Sequence, residues 1–267
     1  MVLTMEEFSE LRDLICERTG LYFADKKIFF LKKRLQTCME QSNFSTPAEY
    51  IRYLKFSDLN GREFQRLSNL ITTNETYFFR EFEQLACFAE DCLPELCALS
   101  AAEQHISVWC AACSSGEEAY TLAIILREIL ESSWNYSIWA NDIDEKALQR
   151  AREGVYSDRS VQYVPEEYYQ KSFFKTAEGH KVRPSVREGI EFRALNLVDR
   201  EQMRRQRNYH AVFCRNALIY FDEHSRRQVV EDFYNALRRG GFIFLGHSES
   251  VGRITTKFHL RRFGKHL

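Results

Sequence analysis

The chain has 267 residues, of which 45% are hydrophobic and 28% charged, and its formal net charge is -1. That length holds one large domain or two smaller ones, and the near-neutral charge excludes a whole-chain attraction to nucleic acid or to an anionic membrane. The start, Met1 to Glu7, has no basic stretch followed by an apolar one, and no apolar run reaches bilayer-spanning length, so a soluble, cytoplasmic protein is expected.

The first seventy or so residues carry helical spacing. Phe8, Leu11 and Ile15 fall on one face, as do Ile28, Leu31, Leu35 and Cys38. Thr46-Pro47-Ala48-Glu49 predicts a third helix start, with Thr46 as cap, Pro47 in the first turn and Glu49 closing a capping box. Phe64, Leu67 and Ile71 suggest a fourth helix. The pattern changes near residues 71–73 with no Gly- or Ser-rich tether.

From His105 the rhythm becomes strand, turn, helix. Strands are expected at 106–111, 136–140, 191–195, 209–214 and 242–245. Helices are expected at 117–130, through Arg152, and at 226–239, the last one ended by Gly240-Gly241. Such alternation implies a mostly parallel, doubly wound sheet with ligands beyond the carboxyl ends of its strands. Between Gly154 and Gly189 the rhythm breaks, and a turn at Glu178-Gly179 joins two short aromatic and charged runs. A small antiparallel insertion is expected there.

Eight cysteines are scattered at positions 16, 38, 87, 92, 97, 110, 113 and 214. Most are expected to be free thiols packed as small hydrophobes. Only Cys110 and Cys113 are spaced for redox or metal chemistry, and no partner motif completes a zinc site, so no metal is expected. The stretch Val108 to Glu118, VWCAACSSGEE, therefore has two readings. A Cys-x-x-Cys at a helix start fits a thiolate redox site. However, Ser114-Ser115-Gly116 is turn chemistry, and no proline falls where a thioredoxin-like fold needs one. A small-residue loop after a strand fits a nucleotide-type ligand, with Asp142 at the end of the second strand placed to hold ribose hydroxyls. The lack of Gly-x-Gly-x-x-Gly leaves a pyrophosphate without a seat, so a ligand with a ribose and no phosphate, S-adenosylmethionine, fits better. Either Glu117 or Glu118 could pair with its amino group, and either Asp142 or Asp144 could instead cap the next helix.

Six runs in order, TTNETYFFRE (72–81), CSSGEEAYTLA (113–123), ANDID (140–144), NL (196–197), FCRNALIYFD (213–222) and GGFIFLGHSES (240–250), resemble the CheR-type chemotaxis receptor methyltransferases. The resemblance implies an α/β fold: a Rossmann-like class I methyltransferase domain at 73–267, a small antiparallel β insertion at about 155–190, and an all-α N-terminal domain at 1–72 for receptor recognition. It implies a protein-glutamate O-methyltransferase that uses S-adenosyl-L-methionine and releases S-adenosyl-L-homocysteine.

By the same resemblance Asn74, Thr76, Arg80 and Glu118 would contact the methionine end of the cofactor. Asp142 would hold the ribose, Asn196 and Leu197 would border the adenine, and Arg215 and Asn216 would line the pocket. Arg80 and Tyr220 would face the transferred methyl. Structural roles compete with these: an ion pair from Arg80 to Glu81 or Glu83, a core position for Tyr220, a turn cap at Asn216 and a strand end at Asn196. A non-catalytic S-adenosylmethionine-binding scaffold, or a methyltransferase for another substrate, is the alternative.

The sequence departs from the family pattern at Ala119, where Pro is usual, and at Cys110 in the loop. The turn Ala177-Glu178-Gly179-His180 is short, whereas tethering to a receptor pentapeptide goes with a longer loop, so a pentapeptide-independent enzyme is expected. Lys26, Lys27, Lys32, Lys33 and Arg34 lie beside the apolar Ile28–Leu31–Leu35 stripe, where they could dock an acidic receptor helix or simply face solvent. Nucleic acid and direct membrane insertion are not expected.

Overall fold

The computed structural model describes residues 2–250, 252 and 254–263. Its N-terminal region is helical: α1 (Met5–Thr19), a 3-10 turn (Asp25–Lys27), α2 (Ile28–Ser42), α3 (Pro47–Phe56) and α4 (Arg62–Ile71). Two capping boxes start α1 and α3, Thr4 with Glu7 and Thr46 with Glu49. Each satisfies helix-end N–H groups that would otherwise lack acceptors. The apolar stripes of these helices close on one another, burying Phe8, Leu11, Ile15, Leu31, Leu35, Cys38, Tyr50, Leu67 and Ile71 in a single cluster.

No element is predicted between residues 73 and 105. The chain there forms α5 (Phe82–Cys87), a π-helical turn (Phe88–Cys92) and α6 (Leu93–Leu99). The three run on as one helical stretch, and Pro94, which has no N–H to give to the preceding turn, directly follows the π turn. The remaining elements are β1 (His105–Ala111), α7 (Glu117–Ile129), β2 (Asn135–Asp142), α8 (Glu145–Glu153), β3 (Val155–Tyr156), α9 (Asp158–Val161), α10 (Glu166–Ser172), β4 (Phe173–Thr176), β5 (Gly179–Val182), α11 (Pro184–Arg187), β6 (Ile190–Ala194), α12 (Arg200–Arg204), β7 (Tyr209–Cys214), a 3-10 turn (Leu218–Tyr220), α13 (Glu223–Ala236) and β8 (Leu237–Leu245).

Among the described residues the main sheet has the order β6-β2-β1-β7-β8, with every neighbouring pair parallel. Its central strands are buried on both faces, which is why β1 and β7 read as apolar runs. The expected insertion is a three-stranded antiparallel sheet, β3-β5-β4, whose β4–β5 hairpin turns on Ala177 and Glu178.

One boundary differs from expectation. Helix α13 ends at Ala236, and Gly240-Gly241 do not stop it; they lie inside β8. Tyr209 pairs with Leu237 but Ala211 pairs with Phe242, so residues between those partners form a bulge, with Gly240 at φ +82°. No helix of the described residues is long and apolar enough to cross a membrane.

Candidate functional site

Chain order reverses between β1 and β7, and the loops leaving those strands diverge there to open a cavity of about 460 Å³. The nine residues expected to bind the cofactor, Asn74, Thr76, Arg80, Glu118, Asp142, Asn196, Leu197, Arg215 and Asn216, and Tyr220, expected to face the transferred methyl, all line this one cavity. They arrive on five separate segments, each fixed by its own local chemistry.

The β1–α7 loop supplies Ala112, Cys113 and Ser114 to the wall. Ala112 and Ser114 are held in the left-handed region at φ 57° and 50°, a conformation that disfavours L-residues and is retained only where surroundings impose it. Gly116 also turns left-handed, at φ +94°, but its Cα does not face the cavity. A Cβ there would meet Ala151 at 2.8 Å and Tyr156 at 3.1 Å, so this glycine lets the loop pack against α8 and the insertion. Gly116 makes the turn into α7, and Ala112 to Ser114 bring the backbone to the cavity.

Asp142, buried at the end of β2, accepts from the backbone N–H of Ser114 at 2.7 Å and of Asp144 at 2.9 Å. Burial pushes its carboxyl up to about 6, against the pull of those backbone donors. The helix cap belongs instead to Asp144, which accepts from Lys146 and Ala147 at the start of α8 and from Asn74 Nδ2 at 2.6 Å. Asn74 Oδ1 in turn accepts from Ser114 Oγ at 3.0 Å, locking the 72–77 segment against the loop.

Phe78 and Phe79 explain how Arg80 is aimed. Phe78 is fully buried, edge-on to Tyr156 and Phe173 at 4.8 and 4.9 Å. Phe79, at φ 57°, donates its N–H to Thr121 Oγ1 at 3.2 Å. With both rings anchored, Arg80 lines the cavity, donating from Nη1 to the Glu75 carbonyl at 2.6 Å and lying 5.8 Å from the Tyr77 ring.

Glu118 and Glu117 divide. Glu118 lines the cavity and accepts from Arg215 Nη1 at 2.8 Å. Glu117 is buried against Ser115 Oγ, at 2.7 Å, and Ser160 Oγ, at 3.4 Å, with burial raising its carboxyl above the usual range. The Arg215 side chain is only 2% exposed and also reaches Glu81, at 3.2 Å, and the Arg80 carbonyl. Glu81 therefore pairs with Arg215, which removes it as the ion-pair partner considered for Arg80. Glu249 accepts from the backbone of Asn216, Ile219 and Gly246, shaping the loop that carries Tyr220. Tyr220 is 39% exposed and lies outside the core. Glu81 and Glu249 were invisible as site residues because their partners lie 134 and 33 positions away.

The helical region closes the remaining wall. Leu21 forms an antiparallel bridge with Phe221, Tyr22 N–H donates to the Tyr220 carbonyl at 2.8 Å, and Asp222 N–H donates to Gly20 at 3.0 Å. Asn196 Nδ2 donates to the Arg18 carbonyl at 2.6 Å, while Leu197 packs beneath among buried apolar residues. Tyr22, Phe23 and Phe30 also line the cavity, a contribution that no local motif announces.

Of the basic cluster, Lys26 and Lys27 sit on the 3-10 turn rather than on a helix, and they reach the cavity mouth. Lys32, Lys33 and Arg34 lie on α2, with Arg34 turned over the Phe30 ring at 5.1 Å. The Leu31 and Leu35 stripe is buried in the helical core, and the outward side of α2 carries Lys33 together with the exposed Phe29.

The redox reading is corrected by burial. Cys110 and Cys113 are free thiols buried against the core, and burial pushes both well above their usual range. Trp109 is likewise a fully buried core residue, donating to Asn141 Oδ1 at 2.5 Å.

A doubly wound parallel sheet with an acid at the end of its second strand and a cavity at its switch point is the architecture of a class I methyltransferase. Known proteins identify the branch. Residues 6–72 match the family model "CheR methyltransferase, all-alpha domain" and residues 74–265 match "CheR methyltransferase, SAM binding domain". The chain is 39% identical over 269 residues to chemotaxis protein methyltransferase 2 of Vibrio cholerae, covering 99% of this chain and 92% of that protein. It is 32% identical to the chemotaxis protein methyltransferase of Borreliella burgdorferi, covering 93% and 89%, and 30% identical to that of Salmonella typhimurium, covering 98% and 89%. The chain belongs to the CheR methyltransferase family, and S-adenosylmethionine is its cofactor.

Proposed function

We propose that this protein esterifies glutamate side chains on the cytoplasmic helices of chemoreceptors, working in the cytoplasm and without a pentapeptide tether. The chain is read as a helical recognition unit at 1–72 and a methyltransferase unit at 73–267, with its insertion at about 155–190. The observation that carries the proposal is the convergence of ten residues from five segments on one cavity.

The wall chemistry fits S-adenosylmethionine. Arg215 Nε is buried with no hydrogen-bond partner among the described residues, on a side chain that lines the cavity, which suits a ligand carboxylate. Glu118 suits the amino group beside it, Asp142 suits ribose hydroxyls, and Asn196 and Leu197 suit the adenine. When bound, the cofactor supplies a sulfonium methyl; an ester C–O bond forms as the S–C bond breaks, leaving S-adenosyl-L-homocysteine.

An acceptor glutamate, with an ordinary pKa near 4.3, is already ionised at neutral pH, so the site requires no general base. What Arg80 and Tyr220 supply is alignment of the acceptor, a contribution on the order of 7–11 kcal/mol when the geometry is right. Arg80 keeps donors beyond the one given to Glu75, and the planar fork of a guanidinium matches a carboxylate, so it can orient one. Lys26 and Lys27, at the mouth, suit an acidic substrate helix.

Incubation of the protein with methyl-labelled cofactor and a receptor cytoplasmic fragment tests this reading. The label is expected on the fragment in base-labile form. Base-stable label would indicate another acceptor group, and cofactor binding without transfer would indicate a scaffold.

A further inference from the structure

We propose that Glu81 is a positioning residue for the amino-acid end of the cofactor, acting through Arg215 on Glu118. The proposal rests on the reading of Glu118 given above. A buried guanidinium facing one carboxylate tends to take both of its oxygens in a parallel fork. Here the fork is divided. Nη1 of Arg215 goes to Glu118 Oε2 at 2.8 Å, and Nη2 goes to Glu81 Oε2 at 3.2 Å and to the Arg80 carbonyl. Among the described residues Glu118 Oε1 meets only the weak donor Cys110 Sγ, at 3.3 Å. Glu81 thus spares one Glu118 oxygen for a ligand ammonium.

Glu81 is itself held for this purpose. Its Oε1 accepts from Asn216 Nδ2 at 3.1 Å, and both residues are left-handed, at φ 55° and 59°. Burial opposes its ionisation, but the Asn216 amide and Arg215 outweigh it and hold the carboxyl below its usual range. Glu81 directly follows Arg80 in sequence, so the same contact that orients Glu118 also fixes the backbone beneath Arg80.

The test compares binding of S-adenosyl-L-homocysteine with that of 5′-methylthioadenosine, which keeps the adenine, ribose and sulfur but lacks the amino-acid end. Calorimetry is run on the wild type, Glu81→Gln and Glu118→Gln. Glu81→Gln is expected to weaken S-adenosyl-L-homocysteine about tenfold while methylthioadenosine stays within about twofold. Equal weakening of both ligands would reduce Glu81 to a structural role, and no weakening of either would remove its role altogether. Either result overturns the proposal. If Glu118→Gln shows the selective loss and Glu81→Gln does not, the reading of Glu118 survives and this inference fails. If Glu118→Gln shows none, both fail. Glu81→Asp, which keeps the charge on a shorter arm, is expected to fall between wild type and Glu81→Gln. It provides the same comparison should Glu81→Gln not fold.

Discussion

The backbone N–H of Tyr22 donates to the carbonyl of Tyr220 at 2.8 Å, joining the helical region directly to the loop that carries Tyr220 into the cavity wall. Around it lie the Leu21–Phe221 bridge and a contact from Cys16 Sγ to Asp222 Oδ2 at 3.0 Å. The helices and the Tyr220 loop are therefore joined at the cavity wall, and the expected effects of substitution follow from that.

Gly20 is the tightest point of this junction. Its φ is +74°, and an added Cβ would meet Phe221 and Val198 at 2.8 Å. Gly20→Ala places an L-residue in a conformation that costs about 1–2 kcal/mol, before any displacement of Phe221. The melting temperature should fall by several degrees and cofactor affinity should fall with it. Thermal unfolding and calorimetry measure both.

Arg80→Ala should lower kcat/KM by about two orders of magnitude, in line with the loss of one preorganised donor at a reacting centre. The melting temperature should change little, because the buried anchors are Phe78 and Phe79. Phe78→Ala should show the opposite pattern, a stability loss of about 3–5 kcal/mol from an emptied aromatic site.

Asp142 gives a pH dependence with a definite sign. Its folded value of about 6 lies above the ordinary value of 3.8, so the folded state binds the proton more tightly than the unfolded chain does. Its contribution to stability is full below about pH 4 and is lost as pH rises to about 6, a change of about 3 kcal/mol in the free protein. Ligand binding runs the other way, since only the ionised carboxylate offers its full acceptor capacity to ribose hydroxyls. S-adenosyl-L-homocysteine affinity should weaken as pH falls from 7 to 5 in the wild type. In Asp142→Asn it should be lower throughout and flatter with pH. Calorimetric titrations across that range compare the two.

Lys26→Glu with Lys27→Glu should raise the KM for a receptor fragment about tenfold at low salt and reduce its dependence on ionic strength. Lys33→Glu, farther from the cavity mouth, should have the smaller effect. Steady-state kinetics at two salt concentrations distinguish them.

Cys110→Ser with Cys113→Ala should retain activity, because both thiols are buried and held protonated by burial. Serine at 110 keeps a donor for Glu118. Methyl transfer in the absence and presence of reductant checks this, and strict dependence on the dithiol would return the loop to redox chemistry.

Local chemistry explains what was readable in the sequence. The capping box at Thr46 and Glu49 is written in four adjacent residues, and the buried stripe of α1 repeats within two turns. The ten candidate residues sat in runs whose order carries a family resemblance. What failed to show is nonlocal or irregular. The helical stretch from Phe82 to Leu99 has a π turn in its middle that shifts the apolar period. Gly240-Gly241 look like a helix stop, yet they serve a strand bulge set by pairing with β7. Glu81, Glu249 and Tyr22 gain their roles only from partners that the fold brings near.

The central claim, esterification of receptor glutamates, is tested most directly by peptide mapping. A receptor cytoplasmic fragment is incubated with the protein and S-adenosylmethionine, and its peptides are analysed by mass spectrometry. The account predicts methyl groups on glutamate side-chain carboxylates, removed by mild base and formed about a hundredfold more slowly with Arg80→Ala. Methylation confined to lysine, arginine or other non-carboxylate atoms would contradict it.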